Sequence, residues 1–535
     1  MKVVRGSSVI AAFVVATAIA APGAQAHRGS AGTSSPRFSF ARPGTPGILT
    51  SLQQRAMRGA LPSDPVALRA LKAAAAANLS GGPEGGPARR PAPSPNPTIQ
   101  ATWQGIAAAG TSSPSDSTGA IGPSSYIENV NSIATIYDRA GAPLASSALD
   151  TWWAEDGSNA FDPQIMWDAT TNRFYYTGDA VFSGSDNRLS FGFSKTANPT
   201  TLTSADWCNY EFGFGSQFPD YPKLGDSRDF SLIGVNVFSG NSFVGSKILA
   251  VSKPGAGATC PLATTFKFKV RGPLTANGAP QFTPVPANEI DGNGTGYVIT
   301  RSSGLPGSRI GVFTVTKAAD SSPIIDTTGT SVTVPSYAVP PAAPQPGTSD
   351  TLDTSDARFT QAVAAVDPIH GNKLRLWTQH AVAGGAGSVE RWYEINPGAA
   401  SLVQAGTVKN SSLFIFDGAI SPDRVVNGGA KAYGGNMVMS FVTASTTSFP
   451  TIQMVSKRAD LGVSSMVLVH ASPGADTDFT CATPPCRWGD YAAATPDPAA
   501  STTGKTGIVW LTSMWTLTGS SSTTSWQTWN WSAKP

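Results

Sequence analysis

The stretch Phe161-Asp162-Pro163-Gln164-Ile165-Met166-Trp167-Asp168 runs through Thr170-Thr171-Asn172 into Arg173-Phe174-Tyr175-Tyr176-Thr177-Gly178. Aromatic and apolar residues crowd both runs, and Asn172 marks the turn between them, so the pair reads as a β-hairpin headed by an aspartate. The same order returns along the chain. Pro219-Asp220 to Asp226 leads to Phe230–Gly234, and Asp356 to Asp367 leads through His370-Gly371-Asn372 to Lys373–Gln379. Phe416-Asp417 to Asp423 leads to Asn436–Phe441, and Trp488-Gly489-Asp490 to Asp497 leads to Gly507–Thr512. A degenerate copy, Asn288 to Arg301, lacks the heading acid, and Asp116 to Asp138 opens the series. Repeats of this kind, each with room for four strands, predict an all-β propeller of six or seven four-stranded blades. The units exceed the usual roughly 40–50 residues of a blade, so loops are inserted.

The two ends of the body fit a closed ring. Thr98–Ile106 (TIQATWQGI) is an isolated strand ahead of the first unit, and Ser525–Trp531 (SWQTWNW) ends the last. Pairing them in one blade would hide sheet edges that otherwise template aggregation. The aromatics are expected to pack between blades rather than stack on ligands.

Ahead of the body, Lys2 and Arg5, the apolar run Val9–Ala20 and Ala24-Gln25-Ala26 form a three-part secretory signal, so residues 1–26 read as a signal peptide. No stretch is long and apolar enough to read as a membrane-spanning helix. Residues 27–97 read as an Ala/Pro-rich basic leader and linker, disordered apart from one helix that Asp64-Pro65 starts and Val66–Asn78 carries. This segment holds nine Lys/Arg against two acids, while the chain as a whole is +3. The propeller body, 98–535, is therefore mildly acidic. That excludes the basic stripe of a nucleic-acid-binding domain. A secreted or cell-surface monomer is the expected form. The four cysteines suit an oxidising compartment, with Cys481 and Cys486 close enough in sequence for a local bridge and Cys208 left for Cys260. Zinc is the competing use of these thiols, but no C-x-x-C pair supports it.

The strings FPDYPKLG (Phe218–Gly225), RWYEI (Arg391–Ile395) and CRWGDY (Cys486–Tyr491) resemble those of a widespread group of secreted bacterial proteins regarded as propeller-like. The resemblance spans roughly Asp116 to Trp531, implies a propeller and brings no chemistry with it. A more distant architectural similarity is to sialidase-type propellers, whose repeated Ser-x-Asp-x-Gly-x-x-Trp turn is absent from this chain.

The heading aspartates are the candidates for chemistry. Asp162, Asp220, Asp417 and Asp490, with Asp356, would converge where the first strand of each blade lines the central channel. Crowded carboxyls titrate apart, because like charges resist joint ionisation, and such a pair can serve glycoside hydrolysis. Arg228, Arg358 and Arg487 are candidate clamps for a sugar carboxylate, and Tyr221 and Tyr491 candidate donors to substrate. A recurrent Asp can equally cap turn amides. Asp291-Gly292-Asn293-Gly294-Thr295-Gly296 matches the first half of a calcium loop, but position twelve is Ser302 rather than Glu. No metal ligand set is otherwise expected. G-x-S-x-G, phosphate-loop, dinucleotide and H-E-x-x-H motifs are all absent. Two functions emerge: binding of extracellular or cell-surface glycans or proteins, or a glycoside hydrolase or polysaccharide lyase with an Asp/Arg site in the channel.

Overall fold

The computed structural model describes residues 36–535, apart from 59–60, 79–90, 109–111, 256, 258, 426–432, 501–505 and 518–523. Residues 1–26, read above as a signal peptide, lie outside the described residues. The protein forms seven blades around a channel, each built on four antiparallel strands, with the short strand Asn288–Glu289 added in parallel to blade 5. Blade 1 shows the plan, running outward through Thr118–Ile121, Ser125–Val130, Ile133–Asp138 and Pro143–Ala148. The innermost strands of blades 2 to 7 are Asn159–Asp168, Gln217–Asp226, Ala279–Pro286, Ala362–Asp367, Phe414–Pro422 and Ala493–Pro496. Blade 7 closes the ring as the termini of the body predict: Thr98–Ala107 is its outermost strand, antiparallel to Trp526–Lys534, with Trp103 opposite Asn530.

The sequence pattern of each strand follows its radial position. Inner strands lie between two neighbouring blades and are buried on both faces, as in Ser125–Val130 and Val509–Thr516, so they read as continuous runs. The outermost strand Thr98–Ala107 alternates between exposed and partly buried positions. The core is divided accordingly into apolar clusters at the interfaces between blades. Trp167, Phe174 and Tyr176 of blade 2 meet Ile127 and Ile136 of blade 1. Trp377 and Trp392 of blade 5 meet Met437 and Met439 of blade 6. Trp103 and Trp510 of blade 7 pack on Tyr126 of blade 1, with ring centroids 5.7 Å apart for Trp103–Tyr126 and Tyr126–Trp510. The aromatics thus hold blade to blade, each buried one contributing about 1.5–3 kcal/mol.

Four innermost strands carry the same bulge. Between Phe161 and Gln164, Asp220 and Lys223, Phe282 and Val285, and Phe416 and Ala419, two residues face one on the neighbouring strand. The first of the two is left-handed each time: Asp162 (φ 51°), Tyr221 (φ 56°), Thr283 (φ 53°) and Asp417 (φ 55°). The second is Pro163, Pro222, Pro284 or Gly418. Proline has no N–H to leave unpaired at such a point. A left-handed Tyr or β-branched Thr is costly, at roughly 1–2 kcal/mol each. The bulge corrects the repeat read from the sequence in two places. In blade 3 the residue equivalent to Asp162 is Tyr221, so Asp220 sits one position earlier. Blade 4 begins at Phe282-Thr283-Pro284, ahead of the stretch that opened at Asn288.

Cys208 bonds Cys260 and Cys481 bonds Cys486, so no thiolate among them remains for zinc. The expected helix is present as Pro65–Ala77, with Asp64 accepting from the Val66 and Ala67 amides. Among the described residues no helix is long and apolar enough to cross a membrane. The described part of the leader rests on the propeller: Arg37–Phe40 extends the edge of blade 2 beside Trp207–Gly215.

Candidate functional site

The bulges and the turns before the inner strands direct acidic side chains into one end of the channel. Asp116, Asp162, Asp179, Asp220, Asp417 and Asp490 are all buried there, with Lys223 among them. Asn131 ties two of them together: its side-chain amide donates to Asp116 Oδ2 (2.7 Å) and its oxygen accepts the Asp162 amide (2.9 Å). Asp116 Oδ1 accepts the Asp490 amide at 2.7 Å. Burial is the largest influence on Asp116 and, with the charge of Asp490, pushes it up to about 7. Burial, then the charges of Asp116, Asp220 and Asp490, pushes Asp162 well above the usual carboxylate range. Lys223 is pushed the other way, well below the usual lysine range, by the same burial. Its ammonium lies 3.2 Å from the Tyr491 ring centroid and 4.1 Å from that of Tyr221.

Several roles expected from the sequence are corrected by the partners these side chains find. The Tyr221 hydroxyl donates to the Asp490 carbonyl (2.9 Å) and the Tyr491 hydroxyl to the Pro163 carbonyl (3.1 Å). A phenol has one proton, so both tyrosines bridge blades rather than donate to a substrate. Arg358 grips Asp356 through Nε (2.8 Å) and Nη2 (2.9 Å), and Arg301 shares Asp356 Oδ2 at 3.0 Å. The fork that would clamp a sugar carboxylate is occupied. Arg487 is held between Asp353 (2.7 Å) and Asp490. Arg228 is not with them: it is exposed, and its nearest acid is the adjacent Asp229 at 3.8 Å. In the half calcium loop, Asp291 Oδ2 accepts from Arg424 (2.7 Å) and the Val366 amide (2.9 Å), and Asn293 Oδ1 accepts the Thr295 amide (3.0 Å). Those oxygens serve the protein's own turn and ion pair.

The acids divide into two groups. On blades 2 and 3, Asp179 has no hydrogen-bond partner at either oxygen among the described residues, and Asp220 has one, the Leu61 amide (3.2 Å). Burial holds Asp220 at about 8 despite the pull of Arg358 and that amide. On blades 5 to 7 a narrow cleft runs between Asp417, Glu390, Gln379, Thr360, Gly489 and Asp490. Asp417 finds no partner among the described residues at either oxygen, nor does Glu390 at Oε2. Glu390 Oε1 accepts the Gly418 amide at 2.9 Å. A Cβ on Gly418 would lie 2.6 Å from the Glu390 carboxyl carbon, so glycine at the second bulge position admits this approach. Both acids are pushed well above their usual range, each by burial first; Glu390 next by Asp417, and Asp417 next by Asp116 and Asp490. Two carboxyls whose protonated form is favoured by burial therefore line the cleft beside Asp490.

Neither Glu390 nor Lys223 was expected from the sequence. Glu390 belongs to Gly387–Asn396, the third strand of blade 5, which bears no heading motif. Its only mark is a charge in a run otherwise buried almost throughout.

No family model matches the chain, and no curated protein matches it. Among solved structures, an alpha-L-arabinofuranosidase from Clostridium thermocellum is 11% identical, covering 55% of this chain and 80% of its own, at a TM-score of 0.26. The hemagglutinin-neuraminidase of Parainfluenza Virus 5 is 11% identical over 70% of this chain and 94% of its own, at a TM-score of 0.35. A glycoside hydrolase of Xanthomonas citri, complexed with xylose, is 10% identical over 58% and 85%, at 0.26. Likenesses at these scores carry no argument about the chemistry of the channel.

Proposed function

We propose that this is an exported propeller that binds a glycan in the cleft between blades 5 and 7. The observation behind this reading is the pair Asp417 and Glu390, buried, pushed towards their protonated form by that burial, and short of hydrogen-bond partners beside an opening. A buried polar atom without a partner costs about 1–3 kcal/mol, which a ligand with matching groups recovers. A neutral carboxyl both donates and accepts, and so pairs with a hydroxyl in either sense. Sugar hydroxyls meet that demand without bringing a charge into a crowded acidic channel.

Hydrolysis is the second reading. It rests on the contrast between two acids that burial pushes up and Asp490, which Arg487 holds by an ion pair. A neutral acid beside an ionised carboxylate is the division of labour glycoside cleavage uses.

The test is a panel of polysaccharides and oligosaccharides offered to the full exported chain, with binding and new reducing ends measured together. The expected result is binding to at least one glycan, weakened tenfold or more by Asp417→Asn and by Glu390→Gln. Reducing ends that vanish in Asp490→Asn would add catalysis. No binding and no cleavage across the panel would overturn the proposal.

A further inference from the structure

The propeller closes without residues 36–58 and 61–78. None of them forms one of the four strands of any blade, and blade 7 is completed by Thr98–Ala107. Yet one piece of this leader enters the channel end. Leu61 donates its amide to Asp220 Oδ2 at 3.2 Å, and Arg358 Nη2 donates to the Leu61 carbonyl at 3.0 Å. Its side chain, 5% exposed, joins Leu52 and Ala56 on an apolar wall of Phe161, Val181, Phe218 and Phe238. Helix Ser51–Ala56 is seated beside it by Gln53, whose side-chain amide donates to the Ser183 carbonyl (2.9 Å) and to Asn187 Oδ1 (2.6 Å). Thr50 and Gln53 cap that helix reciprocally, which fixes Gln53 for the contact.

These contacts have the pattern by which a protein holds a peptide: an acid for a backbone N–H, a base for the carbonyl of the same residue, and an apolar seat for its side group. Both side chains belong to the propeller, both are buried, and both keep capacity to spare. Asp220 Oδ1 and Arg358 Nη1 have no hydrogen-bond partner among the described residues. We infer that the channel mouth on blades 2 and 3 is a peptide-binding site, occupied in cis by residues 49–58 and Leu61. The partner it would take is a peptide that presents an apolar residue with its backbone N–H and carbonyl both exposed. A tethered occupant competes at an effective concentration in the millimolar range, so a free peptide binds only once the cis segment is dislodged. The site adjoins the Asp417–Glu390 cleft, which Arg358 also lines, but its peptide contacts are made by Asp220, Arg358 and the apolar wall, and the inference does not depend on glycan binding.

The experiment uses the full chain, wild type and Leu61→Asp, with a fluorescent peptide of sequence LTSLQQRAMRGALPS (residues 49–63) as probe. An aspartate at 61 would put a carboxyl against the apolar wall of Phe161, Val181, Phe218 and Phe238 and expel the segment. The variant is expected to bind the probe at least tenfold more tightly than wild type, and to ignore a probe carrying the same Leu61→Asp change. A folded variant that fails to bind, or equal binding by wild type, would overturn the inference. Hydrogen exchange on the wild-type protein decides the matter even if Leu61→Asp does not fold. The amides of Ser51–Ala56 are expected to exchange at least a hundredfold faster than those of Val509–Thr516. Equal protection would mean that the segment opens only with the propeller, and would overturn the inference as well.

Discussion

The two sides of the channel mouth are built alike and finished differently. Asp162 and Asp417 are equivalent bulge residues, left-handed, buried and followed by Pro163 and Gly418. On the blade 2–3 side Leu61 gives one Asp220 oxygen a backbone amide, while Asp179 has no hydrogen-bond partner among the described residues. On the blade 5–7 side the acids face a cleft, and Asp417 has no hydrogen-bond partner among the described residues. One repeat thus yields both a corner covered by and bonded to the chain ahead of the propeller, and one that faces a cleft. The repeat supplies the geometry, and its surroundings decide whether an acid is architecture or a site.

The largest effect belongs to an acid that is plainly architectural. Asp356 neutralises both Arg301 and Arg358. Burial opposes its charge, but the two guanidiniums overcome that and hold it well below the usual range. Asp356→Ala leaves two buried cations without their counter-ion and is expected to cost about 3–5 kcal/mol in urea unfolding. A loss below about 1 kcal/mol would break the division between architectural and unsatisfied acids.

A pH series probes the same contrast. Burial raises Asp220 to about 8, Asp116 to about 7 and Glu155 to about 8. For these groups the folded protein binds its proton more tightly than the unfolded one. Their contribution is complete below about pH 4 and is lost as pH rises towards 7–8. Asp353 behaves oppositely: burial opposes its charge, but Lys72 and Arg487 hold it at about 2. Its contribution is present above about pH 4 and is lost as pH falls towards 2. Urea midpoints should therefore peak near about pH 4–5 and fall steadily to about pH 8.5, with a shallower fall in Asp220→Asn. A flat profile above about pH 5 would mean that the channel acids are solvated rather than buried.

Much of the closed architecture was legible in the sequence. Closure of blade 7 could be read because Thr98–Ile106 is an isolated strand-like run ahead of the first unit and Ser525–Trp531 ends the last. The pairing of Cys481 with Cys486 followed from their closeness, and Asp64-Pro65 announced its helix by capping chemistry. The convergence of the heading aspartates followed from the period of the repeat. The bulge was not legible, because a left-handed Tyr221 or Thr283 runs against propensity and shifts the register by one residue. The pattern aromatic-x-Pro/Gly in Phe161–Pro163, Phe282–Pro284 and Phe416–Gly418 was the available signal. Glu390 could not be found from a heading motif, since a third strand brings it to Asp417. The roles of Tyr221 and Tyr491 were misread because their carbonyl partners, Asp490 and Pro163, lie far away in sequence. Nor did composition distinguish a solubilising leader from one that seats Leu61 on Asp220.

If Asp417 and Glu390 form a site, they do not hold the fold together. Urea unfolding of the folded variants Asp417→Asn and Glu390→Gln at pH 7, beside wild type, separates these two roles. Asp417→Asn keeps an oxygen for the nearby Trp488 indole, which favours the Asp417 charge, and Glu390→Gln keeps an acceptor for the Gly418 amide. The expected midpoints equal or exceed that of wild type, within about 0.5 kcal/mol of it or more stable. A loss of about 2 kcal/mol or more in Asp417→Asn would make that carboxyl part of the blade architecture and contradict its assignment to a site.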